Sequence, residues 1–160
     1  LISAICFFFF LYERFETELG LNFRKGLLIR GVPGIGKTHI VRCVEHNELN
    51  PIKILSMIEV ADEIKDEGRY QIEYGKSRIL YLDDVGTEEA TINHHGTKIN
   101  FFKNFIESVY LRNIDSGFNK LIISTNNSFA ELEEKYGFRV RSRVKDMFNI
   151  INVTGEDMRG

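Results

Sequence analysis

The chain has 160 residues, 43% of them hydrophobic and 28% charged, with a formal net charge of -2. This is typical of one soluble globular domain, and it excludes binding of nucleic acid through an overall basic charge, so any DNA contact must come from a local patch or from several copies acting together. The two cysteines, Cys6 and Cys43, match no metal-ligand spacing and are too few for a disulfide scaffold, so a reducing, cytoplasmic setting is expected.

The first predicted element is an apolar helix. The run from Ala4 to Tyr12 (AICFFFFLY) is too short to span a membrane, which takes about 20 apolar residues, and no signal-peptide flanks surround it. We expect it to be buried against the sheet or a neighbouring domain, with no membrane contact. Because the chain begins at Leu1 and not at Met, residues 1–23 are expected to be an N-terminal helix or the remnant of an upstream segment, and residues 24–160 the core domain.

Strands and helices are predicted to alternate through the rest of the chain. Apolar runs predict strands at Gly26–Arg30, Ile52–Met57, Arg78–Leu82, Leu121–Ser124 and Ile150–Val153. Helices are predicted at Thr38–Glu48, Glu59–Asp66, Asn100–Arg112 and Phe129–Met147, the last with a break at Gly137. Residues 86–99 fit either a polar loop or a weak helix. The alternation predicts an α/β fold, with a parallel sheet covered by helices on both faces.

A phosphate-binding pattern follows the first of these strands. The segment GVPGIGKT matches GxxxxGK[ST] and opens the first helix of the core, as its mechanism requires. Its glycines let the backbone wrap phosphate oxygens, while N–H groups and the helix N-terminus face the negative charge. Lys37 is predicted to contact the β- and γ-phosphates, and the Thr38 hydroxyl to ligate Mg²⁺. A glycine turn that happens to precede a helix is the simpler alternative. The residues assigned to nucleotide binding are Gly31, Val32, Pro33, Gly34, Ile35, Gly36, Lys37, Thr38 and His39.

Two carboxylates end the third predicted strand, in ILYLDDVG. We assign Asp83 to hold Mg²⁺ through water and Asp84 to polarise the attacking water. Turn or helix-capping aspartates would explain such a pair in isolation. The pair becomes a specific sign of a Mg²⁺ and phosphate site because it follows a complete phosphate-binding segment, with a single predicted strand between the two.

Two later segments supply further candidates. Asn126, in LIISTNN, follows the fourth strand and can position the water or touch the γ-phosphate, although an Asx turn is the usual explanation for such a residue. The segment YGFRVRSRVK is basic, and on a helix Arg139 and Arg143 would share one edge of its apolar stripe. From that edge an arginine can reach a phosphate in an adjoining subunit; a solvated basic face is the alternative. Arg112, at the end of the preceding helix, is a rival for the same role.

Together these segments resemble the AAA+ ATPases, in the branch of bacterial initiators and helicase loaders. The likeness is closest to DnaC/DnaI-like loaders and to the IstB-like helper ATPases of insertion sequences. It covers residues 24–159 and rests on GVPGIGKTH, LDDVG with Glu88 soon after, IISTNN, and YGFRVRSRV followed by NVTGEDMR. It implies a P-loop NTPase fold with a five-stranded parallel sheet between helices, little or no C-terminal lid, and hydrolysis of ATP with Mg²⁺.

The resemblance also implies roles for the matched residues. The segment 31–38 would be the Walker A motif, Asp83–Asp84 the Walker B motif and Asn126 sensor 1. Arg143 would be the arginine finger that completes a neighbour's site, and Arg139 the arginine of the GxR step. The implied partners are further copies of the chain in an ATP-dependent homo-oligomer, a helicase or transposase protein, and single- or double-stranded DNA. The stretch between Met57 and Arg78 departs from the branch, because it is short where the branch has an extra DNA-facing helix.

Three functions are consistent with the sequence. The first is an ATP-driven remodeller of proteins and DNA, acting as a helicase loader or a transposition helper. The second is a P-loop kinase for a small molecule, which would need an arginine-bearing lid over the phosphates. The third is an ATP-gated binding module with little turnover, suggested by Asp84 at a position where most AAA+ proteins have glutamate.

Overall fold

The structure is a computed structural model that describes residues 12–46, 48, 51–70, 79–116 and 121–155. Most of the apolar run at Ala4–Tyr12 lies outside these residues, as does the end of the NVTGEDMR segment. The helices are α1 Tyr12–Leu19, α2 Lys37–Arg42, α3 Met57–Glu67, α4 Phe101–Ser116, α5 Phe129–Tyr136 and α6 Phe138–Met147. The strands are β1 Gly26–Arg30, β2 Ile52–Ser56, β3 Ile79–Asp83, β4 Ile92–His94, β5 Thr97–Ile99, β6 Leu121–Thr125 and β7 Phe148–Asn152.

Five of the strands form one sheet in the order β2-β3-β6-β1-β7, and every neighbouring pair is parallel. The predicted α/β class and the five-stranded parallel sheet are therefore confirmed. The chain order and the spatial order differ, so β3 and β6 lie between β2 and β1. This arrangement brings the carboxyl ends of β1, β3 and β6 side by side, which is where ligands bind in open parallel sheets.

Helices cover both faces of the sheet, so its central strands are apolar on both sides. On one face, Leu28, Leu82 and Ile123 pack against buried residues of α3, α4, α5 and α6. On the other face, Leu27 and Ile122 pack with Val41 of α2. Burial of both faces explains why β1, β3 and β6 are continuous apolar runs in the sequence.

The helix boundaries differ from the prediction mainly at α2. This helix ends at Arg42 instead of Glu48, because Cys43–His46 form turns, in which the Val44 N–H bonds the carbonyl of Val41. The predicted break at Gly137 is confirmed, since Gly137 has a φ of 92° between α5 and α6. The start of α5 is fixed by a capping box between Ser128 and Glu131.

Residues 86–99 contain a short hairpin, and the alternative of a weak helix is wrong. Strands β4 and β5 pair antiparallel around His95 and Gly96, whose φ values of 46° and 85° suit a two-residue hairpin turn. Ile92 is buried in the core, and the His94 Nδ1 atom lies 2.8 Å from the Lys65 carbonyl oxygen at the end of α3. Among the described helices, none combines the length and apolar composition needed to cross a membrane.

Candidate nucleotide site

The glycine-rich turn between β1 and α2 has the backbone of a phosphate-binding loop. Gly34 and Gly36 have φ values of 80° and 81°, in the left-handed region that glycine adopts at little cost. At Gly31 the constraint is space, because a Cβ there would lie 2.4 Å from the Val153 carbonyl oxygen. The sequence pattern is therefore matched by local geometry at each of these glycines.

Lys37 occupies the centre of this turn and is 5% exposed. Its ammonium group donates hydrogen bonds to the carbonyl oxygens of Gly31 and Val32, at 2.8 and 2.9 Å, and to Asn126 Oδ1 at 2.6 Å. These acceptors stabilise a charge that would otherwise be costly to bury. They also bring Asn126, from the end of β6, into direct contact with the predicted phosphate-binding lysine.

Thr38 and Asp83 meet at the start of α2. The Thr38 hydroxyl lies 3.0 and 2.9 Å from the two carboxylate oxygens of Asp83, to which it donates. Asp83 Oδ1 also accepts hydrogen bonds from the Tyr81 hydroxyl at 2.6 Å and the Ser124 hydroxyl at 2.7 Å. A hydroxyl and a carboxylate are hard oxygen donors of the kind that Mg²⁺ prefers. The donor set therefore fits the predicted metal.

Asp84 has an unusual backbone, with a φ of 55°. Aspartate tolerates the left-handed region better than most residues do. Hydrogen bonds hold the turn on both sides of it: the Asp84 N–H donates to Ser124 Oγ at 2.9 Å, and the Thr87 hydroxyl donates to the Asp84 carbonyl at 2.7 Å. Asp84 is thereby fixed immediately beyond the end of β3, at the mouth of the site.

These side chains surround one cavity of about 370 Å³. Its lining residues are Pro33, Gly34, Gly36, Lys37, Thr38, His39, Arg42, Asp84 and Asn126. Arg42 is the lining residue that sequence reasoning missed. A lone arginine matches no motif, but its spacing of one helical turn after Thr38 places both on one face of α2 and could have indicated it.

A second unpredicted feature is a clamp on the loop that follows Asp84. The carboxylate of Glu88, which is buried, accepts hydrogen bonds from the Tyr136 hydroxyl and, at 2.9 Å, from the Gly86 N–H. The Lys135 ammonium donates to the backbone carbonyls of Gly86 and Glu88. The Tyr136 pKa is raised by burial and by the Glu88 charge, so its hydroxyl remains a donor. The clamp joins the Asp84 loop to the end of α5, directly before the helix that carries Arg143.

Arg143 does not line the cavity of its own chain. Its side chain is 19% exposed; the guanidinium lies 4.9 Å from the centroid of the Tyr110 ring, and Nη1 lies 3.1 Å from Glu107 Oε1. Arg139 is more open, with a side chain 72% exposed and 4.0 Å from the same carboxylate oxygen. Arg141 pairs with Glu133 at 2.7 Å. The basic segment is therefore partly paired with α4 and α5, and Arg143 itself is packed against α4.

A phosphate-binding turn between β1 and α2, with two carboxylates at the end of β3, which β6 separates from β1, defines the P-loop class of nucleotide-binding folds. No family model and no curated protein matches this sequence. Among solved structures, the chain is similar to the crystal structure of domain III from the Thermotoga maritima replication initiation protein DnaA, with a TM-score of 0.55 and 19% identity. The match covers 95% of this chain and 60% of that one. At this identity the match shows the fold alone, a five-stranded parallel sheet between helices as in P-loop NTPases. It does not support the DnaC/DnaI-like and IstB-like branch over other proteins with this fold.

Proposed function

We propose that this protein binds ATP with Mg²⁺ and hydrolyses it to ADP and phosphate. The observation that carries the proposal is the convergence on one cavity of Lys37, Thr38, Asp84 and Asn126, which come from three separate parts of the sequence. Asp83 adjoins the cavity through its hydrogen bonds to Thr38. A cation, a metal-ligand pair, a carboxylate and an amide can supply the charge stabilisation and the positioning on which phosphoryl transfer to water depends.

Each group has a defined task in this proposal. Lys37 exchanges its contacts with Asn126 and the loop carbonyls for oxygens of the β- and γ-phosphates. Thr38 would ligate Mg²⁺ and Asp83 would hold it through water, and the ion would neutralise negative charge on the phosphates. Asp84 accepts a hydrogen bond from the attacking water and draws a proton from it, while Asn126 orients that water or contacts the γ-phosphate.

We further propose that ATP turnover drives remodelling of a protein–DNA complex, in a cytoplasmic homo-oligomer that acts as a helicase loader or a transposition helper. Support comes from the ordered motifs of the chain and from Arg143, which is placed away from its own cavity. The outer face of α3 is acidic, with Glu59, Asp62 and Glu63 exposed, so it would repel DNA phosphates. DNA contact is therefore assigned to other surfaces, and the protein partner is a helicase or a transposase.

Replacing Lys37 by alanine is expected to lower ATP affinity by about 10- to 100-fold, since a charge-assisted contact of about 1.5–3 kcal/mol is lost. Titration with a fluorescent ATP analogue measures this directly. Lys98→Ala is a matched control, because Lys98 is exposed on β5 and should bind as the wild type does. Undiminished affinity in Lys37→Ala would overturn the phosphate-loop assignment.

The remodelling role and the small-molecule kinase differ in where the γ-phosphate goes. We expect release of inorganic phosphate from γ-labelled ATP, at a rate raised by single-stranded DNA or by a helicase or transposase partner. A kinase would instead transfer the label to a metabolite pool, in stoichiometric amounts and without a response to DNA. Transfer of the label to metabolites would overturn the remodelling role, but the proposed nucleotide site would stand.

A further inference from the structure

We propose that the Tyr81 hydroxyl is a positioning group that orients the Asp83 carboxylate for Mg²⁺. The inference rests on the proposed function, because it concerns how that metal site is built. Tyr81 and Asp83 are two residues apart on β3, so their side chains lie on the same face of the sheet. The Tyr81 side chain runs along that face and is fully buried, with its hydroxyl 2.6 Å from Asp83 Oδ1.

A tyrosine is an unexpected choice for this position. Tyr81 lies in an apolar cluster, where neighbours such as Leu27, Ile29 and Ile122 are aliphatic. A hydroxyl buried there costs free energy unless it is hydrogen-bonded, and an aliphatic residue or phenylalanine would avoid that cost. The hydrogen bond to Asp83 therefore explains why a residue with a hydroxyl occupies this position. A tyrosine hydroxyl is protonated at neutral pH, so it acts as the donor in this bond.

The two oxygens of Asp83 have different surroundings, because the hydroxyls of the sheet residues bond Oδ1. Oδ1 accepts from the hydroxyls of Tyr81 and Ser124 at 2.6 and 2.7 Å, which fixes the plane of the carboxylate against the sheet. The hydroxyl of Thr38, the proposed metal ligand, lies 2.9 Å from Oδ2 and 3.0 Å from Oδ1, so Oδ2 faces the start of α2. With Oδ1 anchored, Oδ2 is held towards the place where Mg²⁺ and its water would bind. Partners that orient a ligand in this way commonly contribute strongly to metal affinity.

The test is the Mg²⁺ dependence of nucleotide binding in Tyr81→Phe. We expect the Mg²⁺ concentration for half-maximal binding of a fluorescent ATP analogue to rise about tenfold. Binding in the presence of EDTA should stay unchanged. Tyr136→Phe is the matched control, since it also removes a buried hydroxyl bonded to a carboxylate, that of Glu88. It should lower the urea midpoint of unfolding without moving the Mg²⁺ dependence.

Ser124→Ala provides a second variant, because it removes the other sheet-side donor to Asp83 Oδ1; we expect its Mg²⁺ midpoint to rise as well. If wild-type protein binds the analogue with no dependence on Mg²⁺, the proposed function fails. If the wild type depends on Mg²⁺ and Tyr81→Phe has the same midpoint, the positioning role fails while the function stands. Equal shifts in Tyr81→Phe and Tyr136→Phe would indicate general destabilisation and would also overturn the positioning role.

Discussion

Replacing Asp84 by asparagine is expected to lower ATP turnover by about 10²–10⁴-fold, the contribution typical of a general base, while ATP–Mg²⁺ binding stays close to that of the wild type. Asparagine keeps the shape of the side chain but does not accept the proton of the attacking water. It also tolerates a positive φ, so the backbone at 55° is not strained by the change. Phosphate release under single-turnover conditions, alongside a binding titration, separates the two effects.

Asp83→Asn serves as the contrasting variant. The Asp83 carboxylate accepts the hydrogen bond of Thr38, the proposed metal ligand. Removing its charge should therefore weaken Mg²⁺-dependent ATP binding as well as turnover. Asp62→Asn is a suitable control, since Asp62 is exposed on the outer face of α3. If Asp83→Asn and Asp84→Asn both hydrolyse ATP at the wild-type rate, the roles assigned to the two carboxylates at the end of β3 are wrong. Negligible turnover in the wild type, with tight ATP binding, would instead favour the ATP-gated binding module.

The features that the sequence predicted well depend on residues close together in the chain. The glycines at 34 and 36 adopt left-handed backbone within a single turn, and Lys37 and Thr38 follow at once on a helix. The apolar runs of β1, β3 and β6 identify strands buried on both faces. Since parallel strands align their carboxyl ends, placing Asp83 at the end of one such run already placed it near the phosphate loop.

One feature that the sequence did not predict is a contact between residues that are far apart in the chain. Glu88 and Tyr136 are 48 positions apart, and no periodicity connects a loop carboxylate to a helix hydroxyl. The hairpin of β4 and β5 has strands of three residues each, too short for a pattern of alternation to be recognised. The end of α2 at Arg42 was not predicted for another reason: local turns at Cys43–His46 set it, and the amphipathic pattern does not mark it.

The second large effect is expected at Arg143, which we propose acts on ATP bound to a neighbouring subunit. The transition state of phosphoryl transfer spreads negative charge over the γ-phosphate oxygens, and an arginine finger typically contributes about 10³–10⁵ to the rate. Arg143 is outside its own cavity, but Glu107 and the Tyr110 ring hold its guanidinium in a defined place on α6. Nη1 of Arg143 and Oε1 of Glu107 form an ion pair at 3.1 Å, and a phosphate in a neighbouring site would compete with this carboxylate for the guanidinium.

Mixing two inactive variants tests whether Arg143 acts in trans. Arg143→Ala retains an intact phosphate loop, and Lys37→Ala retains an intact finger, so each alone should lose nearly all ATPase activity. Mixed assemblies contain interfaces that pair the intact phosphate loop of one variant with the intact arginine of the other, and these should restore part of the rate.

Arg141→Ala is the control on the same helix, because Arg141 pairs with Glu133 within its own chain and should leave turnover near wild type. Arg112→Ala tests the rival arginine in the same mixture. If mixed Arg143→Ala and Lys37→Ala assemble normally but remain as inactive as either alone, Arg143 is not a finger for its neighbour. If activity is restored only when Arg112→Ala is mixed with Lys37→Ala, the arginine that acts on the neighbouring subunit is Arg112, on α4.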